Sequence, residues 1–286
     1  MGFLGFMYRQ LFDKPTPIPT GISAVGRTAI VTGSNVGLGL EATRELMCHD
    51  LDRVILAVRS LPKGEKARAE LLQAHLKCKV EVWELDYDSF PSIIAFGKRA
   101  RSLDRLDIVL LNAGVKKLEF MKSPSGHEST VQINHLATAL LSLLLVPQLQ
   151  VTAKLSGNPS RLTIVSSEVH MWSNFKELSA PSILHRMDKE DSFGAPERYN
   201  TSKLLNVLWT RELASKIDVS DVIINTANPG FCGSSLHRDE ISVGFRVFKN
   251  IFAWTSAQGG HCLVDAVIVK KEDTHGGYLS EQKSIP

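Results

Sequence analysis

Short aliphatic runs alternate with longer stretches of helical periodicity along most of this chain, beginning near Gly26. Brief apolar runs bounded by turn residues read as buried strands, and apolar positions recurring three and four apart read as amphipathic helices. The pattern predicts strands at Thr28–Thr32, Arg53–Val58, Lys79–Glu84, Asp107–Leu111, Arg161–Ser166 and Val222–Ala227. Between them it predicts helices over about Gly39–Cys48, Lys63–His75, Phe90–Ser102, Glu128–Leu149 and Tyr199–Leu213. This alternation implies βαβ units, a parallel sheet and one doubly wound α/β domain over residues 26–286. The Glu128–Leu149 stretch is apolar nearly all round, which suits a core or a subunit interface.

Residues 1–25 stand outside this pattern. Met1–Met7 is apolar but too short to span a bilayer, and Arg9 and Asp13 follow closely. It lacks the basic start and small-residue cleavage site of a secretory signal. Gly2 would suit myristoylation, but Phe6 stands where that motif needs Ser or Thr. Two expectations follow: an amphipathic arm packed on the body or on a partner subunit, or weak membrane-surface contact through Phe3, Leu4, Phe6 and Leu11. Pro15, Pro17 and Pro19 make an extended connector.

Composition narrows the function by exclusion. A formal net charge of +3 over 286 residues, with no basic run, gives no reason to expect nucleic acid. Cys48, Cys78, Cys232 and Cys262 are far apart and form no metal-ligand spacing, so buried, reduced thiols and a cytoplasmic location are expected, and no metal site.

The chemistry concentrates in two places. Thr32 is followed by Gly33-Ser34-Asn35-Val36-Gly37-Leu38-Gly39, between the first strand and the first helix. Glycines there let the backbone turn tightly and approach a pyrophosphate, while the helix N-terminus supplies amide donors and a favourable dipole. The second strand ends in Ala57-Val58-Arg59-Ser60. A carboxylate at that tip would read a free ribose 2′-hydroxyl, whereas Arg59 favours a 2′-phosphate and hence NADP(H). Further on, Tyr199 and Lys203 lie one helical turn apart and project from the same face. A fixed cation beside a phenol lowers its pKa and makes it a general acid or base.

In this order and register the motifs resemble those of the short-chain dehydrogenase/reductase family, from about Gly26 to Ser280. They are the Thr-Gly-x-x-x-Gly-x-Gly turn, Asn112-Ala113-Gly114, Asn134, Ser166-Ser167, Tyr199 with Lys203, and Asn228-Pro229-Gly230. The chain looks most like the retinol-dehydrogenase-like branch, which includes fungal secondary-metabolite reductases. The supporting stretches are Val31–Ala42, Leu56–Ala69 with its Arg-x-x-x-Lys-Gly pattern, Gln132–Pro147, the long Ser167–Tyr199 gap and Gly276-Gly277-Tyr278-Leu279. It departs at Leu111, where the motif has a second Asn, and at Ala137, Thr138 and Ala139, where relatives carry Gly, His and an aromatic.

The resemblance implies a Rossmann-type fold and a site with assigned roles. Tyr199 would move a proton to or from the substrate oxygen. Lys203 would hold the nicotinamide ribose and tune Tyr199, and Ser167 rather than Ser166 would orient the substrate oxygen. Asn134 would anchor a proton-relaying water, or else stitch its helix to a strand. Asn112, Ala113 and Gly114 would line the adenosine side, Pro229 and Gly230 would border the cofactor, and Asp86 would reach the adenine edge or else cap the next helix. His170 is expected to shape the pocket. A substrate insertion at about 168–198, with Trp172 and Phe175, and an apolar lid at about 231–254 should enclose a bulky substrate.

The function expected is therefore NADP(H)-dependent interconversion of a carbonyl and an alcohol by a homodimer or homotetramer. Two alternatives keep the cofactor site: an isomerase, dehydratase or cyclase without net redox, and a non-catalytic NADP-sensing protein.

Overall fold

The computed structural model describes residues 3–233, 236 and 242–285. Among the described residues eight strands form one sheet: β1 (Thr28–Thr32), β2 (Arg53–Val58), β3 (Lys79–Glu84), β4 (Ile108–Leu111), β5 (Ser160–Val165), β6 (Val222–Asn228), β7 (Tyr278–Ser280) and β8 (Lys283–Ile285). Their order is β3-β2-β1-β4-β5-β6-β7-β8, with every neighbouring pair parallel except β7 and β8. The six expected strands lie within a residue of their predicted ends, whereas β7 and β8 were not expected.

The helices are α1 (Phe3–Phe12), α2 (Gly37–Cys48), α3 (Leu61–Ala74), α4 (Phe90–Ala100), α5 (Ser129–Val131), α6 (Ala137–Ser156), α7 (Ile183–Met187), α8 (Ala195–Ala214), α9 (Val243–Phe252) and α10 (Ser256–Val264). A π-helical segment, Gln132–Leu136, joins α5 to α6, giving one helical run from Ser129 to Ser156. That run is long and apolar enough to cross a membrane by length and composition alone. It instead buries Leu141, Leu145 and Leu149 completely in the protein core.

Strand alternation divides the interior into two layers. Ala29 and Val31 of β1, with Val54, Leu56 and Val58 of β2, pack on one face with Leu46, Met47, Leu71 and Leu263 from α2, α3 and α10. Ile30, Ile55 and Ala57 point the opposite way, toward Ile93, Phe96 and Leu141 from α4 and α6. Successive strands run outward from β1 in both directions, so β1 and β4 flank the point where the order reverses. A crevice at that switch point, outside the strand C-termini, is where this architecture binds ligands.

The N-terminal arm packs on the body. Phe6 is buried, Leu11 is exposed, and the side chains of Phe3 and Leu4 lie outside the described residues. The connector is tied to the β7–β8 turn, where Gln282 Oε1 accepts from Thr16 N at 3.0 Å and Gln282 Nε2 donates to Thr16 O at 2.9 Å. All four cysteines are free thiols; Cys48 is exposed near the end of α2, contrary to the expectation that all four are buried.

Candidate active site

The glycine turn leaves β1 at Thr32 and enters α2 at Gly37. Gly33 and Gly37 have φ of 64° and 59°, a left-handed conformation that only glycine adopts freely. At Gly39 space is the constraint, since a Cβ would lie 2.6 Å from both Asn112 Nδ2 and Gly33 O. Asn112 fastens the turn, its Nδ2 donating to Thr32 O at 2.9 Å. Thr32 Oγ1 accepts from the main-chain amides of Asn112 and Ala113, both at 3.0 Å. Val36 provides no side-chain cap for α2, so the helix's first amides face the crevice as donors for an anion. The cradle fits a dinucleotide pyrophosphate.

A cavity of about 610 Å³ runs from this turn across the ends of β1, β4, β5 and β6. At one end it meets Arg59, Ser60, Lys63 and Asp86; at the other, Ser167, Tyr199, Phe231, Phe245 and Phe248. Gly33, Asn35, Val36, Gly37, Leu38, Asn112, Ala113, Gly114, Lys203, Pro229 and Gly230 line it between or around these ends. Ser34 is fully buried, its hydroxyl donating to Val31 O at 2.9 Å, and Gly39 acts through close packing rather than as lining. Asp86 Oδ1 accepts from Asp88 N at 3.0 Å, while Ser89 caps α4, which removes the capping alternative for Asp86.

Tyr199 lies in the second turn of α8, which begins at Ala195, earlier than the periodicity suggested. Its side chain hydrogen-bonds Ser167. Burial holds the phenol well above its ordinary pKa, and the Ser167 bond works in the opposite direction. Lys203 is buried, its ammonium 5.7 Å from the Tyr199 ring centroid and donating to Val165 O at 3.1 Å. Burial lowers its pKa to about 8. In the chain by itself, desolvation therefore outweighs cationic tuning of the phenol. Both Ser166 and Ser167 line the cavity, but the Ser166 hydroxyl is engaged, donating to Lys203 O at 2.8 Å.

Asn134 sits inside the π-helical segment. Its Oδ1 accepts from Val115 N at 2.8 Å, and its Nδ2 donates to Val115 O at 2.9 Å and to Ser202 Oγ at 3.0 Å. These bonds stitch the helix to the segment after β4 and to α8. His170 does not line the cavity; its Nδ1 bonds Ser167 O at 2.8 Å and its ring packs edge-on against Tyr278. Of the two aromatics expected from the insertion, Trp172 lines the cavity and Phe175 does not. Phe175 instead occupies a turn at φ 41°, its amide donating to Glu197 Oε1 at 3.2 Å.

Several cavity residues escaped the sequence analysis. Lys63 could have been found, because it stands one helical turn beyond Arg59 at the start of α3. Phe6 carried no such signal, since only folding brings it beside residues more than 160 positions away.

Comparison with known proteins decides the family. The family described as short chain dehydrogenase matches residues 27–173. The chain is 57% identical over 281 residues to short chain dehydrogenase sol3 of Alternaria solani, covering 98% of each protein. This protein belongs to the short-chain dehydrogenase/reductase family. It is also 41% identical to short chain dehydrogenase/reductase mfmJ of Annulohypoxylon moriforme, over 98% of this chain and 83% of that one. Its fold matches the Pseudomonas aeruginosa RhlG/NADP active-site complex at TM-score 0.69 and 20% identity, covering 92% of this short-chain dehydrogenase and 97% of that chain. It likewise matches a short-chain dehydrogenase from Sphingobium yanoikuyae in complex with NADPH, at TM-score 0.63 and 17% identity over 84% and 82% of the chains.

Proposed function

We propose that this short-chain dehydrogenase uses NADP(H) to interconvert a carbonyl and an alcohol on a bulky apolar or aromatic substrate, of the kind met in secondary-metabolite biosynthesis. The observation that carries the proposal is the convergence of Ser167 and Tyr199 at one end of a cavity walled by Phe231, Phe245, Phe248 and Trp172. Two protein groups able to bond one substrate oxygen thus face an aromatic chamber.

Bound in the glycine cradle, NADP(H) supplies hydride chemistry. Arg59 and Lys63 at the tip of β2 and start of α3 support the choice of the 2′-phosphorylated form, as do the NADP and NADPH in the two related structures. Ser167 orients the substrate oxygen, and Tyr199 gives it a proton in reduction or takes one in oxidation. Lys203 holds the ribose end and places positive charge beside the phenol. Asn134 keeps α8 in register with the segment after β4 through Ser202 and Val115. Trp172 from the 168–198 segment and Phe231, Phe245 and Phe248 from the 231–254 segment, of which residues 234–235 and 237–241 lie outside the described residues, enclose the substrate.

We also propose a homodimer or homotetramer. Leu143, Val151 and Leu155 on α6 and Leu208 on α8 are large exposed apolar side chains that a second copy would cover.

The test of function is NADPH oxidation, followed by absorbance, across a panel of aromatic ketones. Tyr199→Phe should retain NADPH binding and abolish turnover. Turnover undiminished in that variant would reject the proposed role, and conversion of substrate without net NADPH consumption would favour isomerisation, dehydration or cyclisation.

A further inference from the structure

We propose that α1 is a fixed wall of the substrate cavity, with Phe6 determining specificity and Arg9 and Gln10 positioning the segments around it; this rests on the carbonyl-reductase reading above. Phe6 is 8% exposed and lines the cavity. Its ring centroid lies 6.3 Å from those of both Trp172 and Phe231. Trp172 belongs to the segment that follows Ser167, and Phe231 follows Gly230 beyond β6. Phe231 in turn packs on Phe245 and Phe248. Phe6 therefore joins the two sides of the aromatic chamber.

Its neighbours on α1 are bound to the same two sides. Gln10 is 2% exposed, and its Oε1 accepts from Phe231 N at 2.8 Å. Gln10 Nε2 donates to Phe231 O at 3.3 Å and Phe252 O at 3.2 Å, while its main-chain carbonyl accepts from Trp254 Nε1 at 2.8 Å. Trp254 matters to the cofactor-facing backbone, because a Cβ on Gly230 would lie 2.4 Å from its ring. Arg9 Nη2 meets Glu168 Oε1 at 2.6 Å, immediately after Ser167, and Arg9 Nε meets Glu281 Oε2 at 3.0 Å beyond β7.

Without α1, two buried carboxylates would face each other with no cation between them, and the Phe231 amide and Trp254 indole would lose acceptors. Ten residues are too few to hold a helix alone, so these contacts both order the arm and make it part of the site. A planar aromatic ketone between Phe6, Trp172 and Phe231 is the substrate such a wall favours.

The experiment uses the full chain with NADPH and two probes, 2-acetylnaphthalene and 2-butanone. Phe6→Ala should lower the ratio of kcat/KM for the naphthyl ketone over the small one about tenfold, mainly through KM, with NADPH affinity unchanged. Gln10→Ala should shift the ratio in the same direction and speed amide hydrogen exchange at Phe231 and Trp254. Retained NADPH affinity reports that each variant is folded, and Phe6→Leu serves if the alanine variant is not. An unchanged selectivity ratio together with unchanged exchange would overturn the proposal. If the parent protein binds NADPH but reduces neither ketone, the carbonyl-reductase reading fails separately, and exchange in Gln10→Ala alone decides whether α1 holds the wall.

Discussion

Arg198 Nη1 lies 3.2 Å from Glu177 Oε1 in the protein interior, the two side chains 1% and 6% exposed. Glu128 Oε2 approaches the same guanidinium at 3.7 Å, and Arg198 directly precedes Tyr199. The cluster thus ties the 168–198 segment and the start of the long helical run to the Tyr199 turn of α8. Glu177→Ala would leave a buried guanidinium short of a partner, at a cost of about 3 kcal/mol. Urea denaturation should show that loss, and turnover should fall with it as the Tyr199 turn loosens.

Ser167 bears on the pH profile as well as the rate. Burial raises the Tyr199 pKa and the Ser167 hydrogen bond opposes that rise, so Ser167→Ala should raise it further. In the proposed reduction Tyr199 acts as the protonated phenol, so the alkaline decline should move to higher pH in the variant. Alcohol oxidation needs the phenolate and should require higher pH. Loss of a donor to the developing charge should also lower kcat by about a hundredfold. Profiles of kcat in both directions check the shift and the loss.

Burying the Lys203 ammonium costs stability. Its pKa is lowered from 10.5 to about 8 by burial, so between those values the unfolded chain binds more protons than the folded one. Its destabilising contribution is present in full below about pH 8 and diminishes as pH rises toward 10.5. Lys203→Met should therefore be more stable at pH 7, by about 1–2 kcal/mol, and inactive. The difference in unfolding free energy from the parent should shrink between pH 8 and 10.5.

Arg59 is exposed at the end of the cavity beside Ser60 and Lys63, where screening moderates its contribution. Arg59→Ala should weaken NADPH binding about tenfold and leave NADH binding nearly unchanged, with the difference narrowing at high salt. Titration calorimetry with both nucleotides measures this directly.

Leu143 is 50% exposed on the outer side of α6. If that surface joins two copies, Leu143→Glu should reduce the mass seen by sedimentation to that of one chain while leaving the circular dichroism intact.

Local sequence determined much of this protein. β1 and β2 are short, wholly or largely buried runs, and their apolar composition and length marked them as strands. The left-handed positions at Gly33 and Gly37 are properties of glycine, and the one-turn spacing of Tyr199 and Lys203 follows from helix pitch. β7 and β8 escaped because three residues are too few to display a period of two. Tertiary structure decided what depends on distant partners: that His170 packs on Tyr278 instead of lining the cavity, and that Arg198 has carboxylates on both sides. It also decided that Phe6 lines the cavity beside Trp172 and Phe231, and that Gln10 bonds the Phe231 main chain. Backbone conformation is set among near neighbours in sequence, whereas a buried charge or aromatic ring takes its meaning from whichever remote segment folding brings against it.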